Sequence, residues 1–270
     1  MSTFSRRDLL QHAPAVGLGM TAWFGLPDLA RADSPSAAAD VPPTFPVQDP
    51  DLAREVVGLS HRDLDGVRAL VEARPALAKA TIDWGFGDWE TALGAASHVG
   101  RPDIAELLLR HGARPDLFTF AMLGNVAAVR AIVDTNPELR RLRGPHGITL
   151  LQHARNGDAK EVVEYLESLG DADPRYRDEP IGDADRAALL GEYPFGPGPD
   201  DVLIVREAMG GVGILKRGGV VRRLFHQGDL AFHPAGAPAV QVRFEREGDV
   251  CRRVHIADAA IHVTGVRAAG

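Results

Sequence analysis

Between Leu77 and Glu90 the chain reads LAKATIDWGFGDWE. Its second half crowds acids and aromatics together: Asp83, Trp84, Phe86, Asp88, Trp89 and Glu90. Paired carboxylates beside aromatic rings are the equipment of glycoside hydrolysis, where one carboxyl protonates the leaving oxygen and the other attacks or activates water. His98 and His146 would add acid–base groups if the fold brought them to the same face. The spacings are generic, and the expectation is a site without catalysis. Aromatic rings exposed among charges also serve as interface anchors. Alternatively both tryptophans tuck under the loop, and one ring inward with one outward satisfies both readings. The same question arises at His146 and His153, which flank the stretch GITLLQ beside a threonine hydroxyl.

Other chemistry is sparsely signalled. There is no G-x-S-x-G, H-E-x-x-H or G-x-x-x-x-G-K pattern, so nucleophile-elbow, zincin and P-loop chemistries lack their local signature. The glycine-rich run 209–219 (MGGVGILKRGG) lacks the strand–loop–helix setting of a dinucleotide site and reads as hairpin turns. His226, His233, His255 and His262 have no tight ligand spacing and read as structural, so neither a metal nor a cofactor is expected. Arg222-Arg223 and Arg252-Arg253 read as solvated strand edges, with a small acidic-ligand patch as the alternative. Cys251 is the only cysteine, which excludes an internal disulfide and a cysteine metal site. It reads as a small buried hydrophobe, the alternative being a thiol activated by the adjoining arginines.

The whole chain has 270 residues and a net charge of −7. Only Lys79, Lys160 and Lys216 are lysines among 30 basic residues. An acidic chain without clustered cations argues against a nucleic-acid partner. The first 32 residues stand apart. Ser5-Arg6-Arg7-Asp8-Leu9-Leu10 looks like a twin-arginine export motif, an apolar stretch follows from Ala13 to Leu26, and Ala30-Arg31-Ala32 has the form of a cleavage site. The expectation is export to the periplasm or beyond, with cleavage after Ala32. No other segment approaches the roughly 18 apolar residues of a membrane span.

Residues 33–50 are rich in Pro, Ala and Ser and read as a disordered lead-in. Helical periodicity runs through 51–170, a polar linker through 171–186, and the remainder, 187–270, alternates short apolar runs with glycine turns. Within the helical part, TALGAASHVGRPDIAELLLRHG (91–112) aligns with TLLQHARNGDAKEVVEYLESLG (149–170). Both have Thr at the start, Leu two residues on, a β-branched residue in the second helix (Ile104, Val162) and a closing Gly (Gly112, Gly170). Thr caps the first helix, Leu faces the neighbouring layer, and Gly ends the second helix.

This frame resembles the ankyrin repeat, and GVRALVEARPAL (66–77) and AVRAIVDTNPEL (128–139) match its second helix. The resemblance implies an α-solenoid of about four repeats. It implies a structural His153, its imidazole bridging backbone groups of neighbouring repeats, and leaves His146 between a structural and a binding role. It also implies a concave binding surface, to which Asp83, Trp84, Phe86, Asp88, Trp89, Glu90 and His146 would belong. The C-terminal segment has a different grammar. VLIVRE, VGILKR, VVRRLFH, LAFHP, AVQVRFER, VCRRVHIAD and AIHVTGVR read as strands of a small antiparallel sheet or half-barrel. With Gly191-Glu192-Tyr193 opening it, this part weakly resembles the small β-domain appended to penicillin-recognising serine hydrolases. The expected whole is an α+β multi-domain protein that binds a periplasmic or envelope protein. A small-molecule or glycan site between solenoid and β-domain is the alternative.

Overall fold

Short polar side chains start the helices. Asp63, Thr91, Asp116, Asn125 and Thr149 each accept a hydrogen bond from a first-turn amide of α2 (Leu64–Ala73), α3 (Ala92–His98), α5 (Leu117–Met122), α6 (Val126–Thr135) and α7 (Leu150–Asn156). Asp49 does the same for α1 (Pro50–Leu59). α4 (Pro102–Arg110) and α8 (Lys160–Ser168) complete the set. The computed structural model describes residues 44–267. The twin-arginine motif, the cleavage site and most of the 33–50 lead-in lie outside the described residues.

These eight helices form four successive pairs, and the first helices of adjacent pairs pack on one another. Val56, Val67, Leu93, Ile104 and Leu108 centre one apolar core, and Leu150, Val162 and Leu166 a second. Full burial of such a side chain is worth about 1.5–3 kcal/mol. α2 and α6 stop early, at Arg74 and Asn136, both with φ −142°. Each precedes a proline, which disfavours helical backbone at the residue before it. Close stacking depends on glycine: a Cβ on Gly100 would lie 1.9 Å from the Asn156 carbonyl oxygen, and one on Gly157 would lie 2.0 Å from that of Met122.

Between α2 and α3 the chain forms a two-stranded hairpin, β1 (Thr81–Asp83) and β2 (Trp89–Thr91). The C-terminal part is an antiparallel meander in strict chain order. It runs β3 (Gly191–Pro194), β4 (Val202–Ala208), β5 (Gly211–Lys216), β6 (Arg222–Gly228), β7 (Ala231–Pro234), β8 (Gln241–Glu247), β9 (Val250–Asp258) and β10 (Ile261–Val266). β10 returns beside β3, so the eight strands make a nearly closed barrel. Tyr193, Ile214, Val242, Cys251 and Val254 fill it. α9 (Asp183–Leu189) closes one side, with Ala188 and Leu189 in the barrel core and the Leu189 carbonyl accepting from Tyr193 Oη at 2.6 Å. Cys251 is fully buried, and that burial pushes its thiol pKa up.

The 171–186 segment, expected as a linker, is fastened at both ends. Thr149 Oγ1 donates to Asp173 at 2.7 Å and Arg143 reaches the Pro174 carbonyl. Further on, Asp178 accepts from the His226 amide at 3.0 Å, and the Glu179 amide donates to the His226 carbonyl at 2.9 Å. The segment is a strap tying the helices to β6, and its last residues already belong to α9. Among the described residues no helix is long and apolar enough to cross a membrane.

Candidate metal centre

The hairpin decides where its acids go. Strand side chains alternate between faces, and in β2 this turns Glu90 inward and Trp89 outward. Glu90 pairs in register with Ile82, and both are buried against the first helical core. Three imidazoles meet it there. His61 lies in the turn after α1, His98 is the last residue of α3, and His146 lies in the 3-10 turn Pro145–Gly147 with φ 60°.

One donor atom from each of His61, Glu90, His98 and His146 lies within 4.8 Å of all the others. His61 Nε2 is 3.5 Å from Glu90 Oε2, His146 Nε2 is 3.5 Å from Glu90 Oε1, and His98 Nδ1 is 2.8 Å from the same Oε1. A tetrahedral ion with bonds of about 2.0–2.1 Å sets its ligands about 3.4 Å apart. The two 3.5 Å separations are close to that edge but end on different oxygens of Glu90, and the third is shorter. His98 Nδ1 and Glu90 Oε1 are buried, and despite their approach neither is in hydrogen-bond geometry with any group. Two buried donor atoms brought this close are what a shared cation would accommodate.

The outer groups fix the same orientation. His61 Nδ1 lies 3.1 Å from the Val57 carbonyl and 3.2 Å from that of Gly58, which places the proton on Nδ1 and leaves Nε2 as donor atom. His146 Nδ1 lies 2.8 Å from Asp88 Oδ2, leaving its Nε2 free toward Glu90. Trp84 Nε1 donates to Glu90 Oε2 at 2.6 Å. Carbonyl, carboxylate and indole partners of this kind set tautomer and ring angle in metal sites. Three nitrogens and one carboxylate oxygen suit a divalent first-row transition ion.

Without an ion, the charges balance among the same residues. Burial opposes ionisation of Glu90, but the contacts and charges of His146 and His98 outweigh it and bring the carboxyl down to about 2. Burial likewise opposes charge on His146, and Asp88 and Glu90 overcome it, lifting the imidazole to about 9. His61 is lowered, chiefly by burial. Asp88 is lowered as well: burial acts against its charge, and His146 and Arg222 outweigh that.

Arg222 closes the arrangement from the barrel. Its Nη2 contacts Asp88 Oδ2 and donates to the Ala235 carbonyl at 2.6 Å. Asp88 also accepts from the His146 amide at 2.9 Å. Arg222, expected on a solvated strand edge, is buried because β6 presents it to the hairpin. Gly236 allows this approach: its φ is +77°, and a Cβ there would lie 2.7 Å from Asp88 Cγ.

One stretch beside the centre has a recognisable identity. A family model for the ankyrin repeat matches the stretch from Asp88 onward. Residues 88–120 are an ankyrin repeat. This repeat supplies Asp88, Glu90 and His98, and Thr91 caps its first helix. Ankyrin repeats are modules suited to protein interaction. No curated protein matches the chain.

The sequence-derived surface residues divide between three places. Asp88, Glu90 and His146 meet in the centre, and Trp84 supports it. Phe86 packs against the barrel core, and Asp83 accepts from the Gly85 amide at 2.7 Å beside a cavity of about 690 Å³. Trp89 alone points away, 62% exposed. His153 is fully buried, but its Nδ1 faces the Thr149 carbonyl of its own helix at 2.9 Å, not a neighbouring pair. His226 and His233 are buried, with Nδ1 atoms near the Glu179 and Pro234 carbonyls. Sequence reading missed His61 and Arg222. Neither lies near the hairpin in sequence, and neither carries a local motif.

Proposed function

We propose that this chain is a metal-binding protein. Its centre is a divalent transition ion held by His61, Glu90, His98 and His146 at the seam between ankyrin helices and barrel. The observation that carries the reading is the convergence of four donor atoms, with His61, His146 and Glu90 already held from outside by backbone carbonyls, Asp88 and Trp84. The ankyrin fold supplies the scaffold, with the other three helix pairs as degenerate repeats of the same unit. The centre is read as a binding site, and no turnover is assigned to it. The twin-arginine-type sequence supports export of a chain that folds, and fills this centre, before it leaves the cytoplasm. The weak resemblance of the barrel to an appended hydrolase domain supports an accessory role for it.

The test is elemental analysis of the full chain after exposure to zinc, iron, manganese, nickel and copper salts and removal of excess ion. One tightly held ion per chain is expected, with loss of retention in His98→Ala and Glu90→Gln. Failure to retain any of these ions sinks the reading.

A second reading, as a binder of a periplasmic or envelope protein, is favoured by the ankyrin match and by Trp89 standing exposed on the hairpin. Its test is capture from periplasm with the full chain and with Trp89→Ala, which leaves the centre untouched. A protein held by the first and lost from the second supports it.

A further inference from the structure

The metal centre is enclosed on one side and open on the other. Glu90 and His98 are walled in, whereas the His61 and His146 side chains are 22% and 24% exposed. Both exposed imidazoles line a cavity of about 340 Å³. Its remaining wall is mostly apolar, with Trp84, Met209, Val220, Val221, Phe225 and Ala235. That volume lies at the small end of ligand pockets, about 300–1,000 Å³.

Charge at this place can be counted. Arg222 and Arg223 also line the cavity, but each already faces a carboxylate, Asp88 and Asp178 respectively. A divalent ion with neutral imidazoles and one Glu90 carboxylate keeps one positive charge. Charge in a poorly hydrated setting is costly unless balanced. One anionic oxygen donor would balance it, and an apolar body behind that oxygen would match the wall.

Resting on the metal reading above, we propose that this cavity is a binding site for a small monoanion with an apolar body, an aryl or branched-alkyl carboxylate. One carboxylate oxygen adds a fifth ligand to the four protein donors, on the side where His61 and His146 are exposed, and the apolar body lies between Trp84, Val220 and Phe225. His61 and His146 present the ion to the ligand, and Glu90 and His98 hold it from behind. The Arg222–Asp88 pair keeps the wall neutral. Trp84, Val220 and Arg222 are shared with the larger cavity of about 690 Å³, so substituents on the body have room on that side.

The experiment uses the full chain loaded with cobalt(II), whose visible absorption reports its ligands. Sodium benzoate, sodium acetate and anilinium chloride are titrated in turn, and Val220→Trp is measured in parallel. Val220 is 44% exposed, so the larger ring fills the cavity without entering a core. Benzoate is expected to change the spectrum saturably and to bind at least about tenfold tighter than acetate, because its ring is buried. Anilinium is expected to leave the spectrum unchanged. Val220→Trp is expected to hold cobalt as the unmodified chain does and to bind benzoate at least about tenfold more weakly.

A cobalt spectrum indifferent to benzoate, or equal responses to benzoate and acetate, overturns the cavity's role while leaving the metal centre standing. A benzoate response unaffected by Val220→Trp overturns the placement of the body. A chain that takes up no cobalt in any form removes the metal centre itself.

Discussion

Asp88 joins the two halves of the molecule through one carboxylate. It accepts from His146 through both ring and backbone, and it faces Arg222 across the seam. Both side chains of the Arg222 pair are nearly enclosed. Removing Arg222 leaves Asp88 with His146 as its remaining partner, so the lost charged hydrogen bond costs about 1.5–3 kcal/mol. Arg222→Ala is therefore expected to lower unfolding free energy by that order in urea. The double change Asp88→Ala with Arg222→Ala should cost less than the sum of the singles, a coupling that a double-mutant cycle reads directly.

His153 gives a pH signature at the same scale. Burial lowers its pKa from the ordinary 6.5 to about 4, so the fold holds it neutral while the unfolded chain takes up a proton below 6.5. Its contribution is present above pH 6.5 and is lost as pH falls toward 4. Denaturation midpoints followed across that window should fall more steeply for the natural chain than for His153→Gln.

At this scale the sequence showed the acids and the candidate bases but not their meeting. The proposed ligands at positions 61, 90, 98 and 146 come from three separate stretches of chain, whereas metal motifs legible in sequence place their ligands within a few residues. Arg222 was misread for a related reason: strand alternation says which residues share a face, not what covers that face.

Among the elements, caps and glycines do the positioning. Thr149 Oγ1 accepts from the Gln152 amide at 3.3 Å and donates to Asp173 in the strap at 2.7 Å. Thr149→Ala should cost about 1–2 kcal/mol in a urea titration, since the cap and the strap bond go together. Gly236→Ala should cost about 1–3 kcal/mol from its positive φ alone. The added carbon also meets Asp88, so His146 should lose its fixed position, visible as altered imidazole signals in NMR. Thr91 and Thr149 were readable as caps because capping is local, and the barrel strands were readable because alternation and turn glycines are local. The strap and the α9 plug were not, because their partners lie in other elements. α2 and α6 end two residues before Pro75 and Pro137, with Arg74 and Asn136 as their caps.

For the whole molecule, helices and barrel belong to one unit, Pro46–Gly270. The Asp88–Arg222 contact, Phe86 packed against the barrel core and the strap all cross between them. The two parts are therefore expected to unfold together. The change in tryptophan fluorescence from Trp84 and Trp89 in the hairpin, read in residues 33–270 so that Trp23 is excluded, should coincide with far-ultraviolet dichroism, and a scanning calorimeter should record one transition. A barrel melting apart from the helices would contradict the seam as described. Bound ion should raise the transition, by an amount that grows with the logarithm of its concentration over Kd, because its site is assembled only in the folded chain.

The measurement that bears most directly on the central claim is anomalous diffraction from crystals of the full chain grown with zinc, collected on both sides of the zinc absorption edge. One strong peak is expected among His61 Nε2, Glu90, His98 Nδ1 and His146 Nε2, at about 2.0–2.2 Å from each. A difference map without a peak there, in crystals whose imidazoles keep the same arrangement, would contradict it.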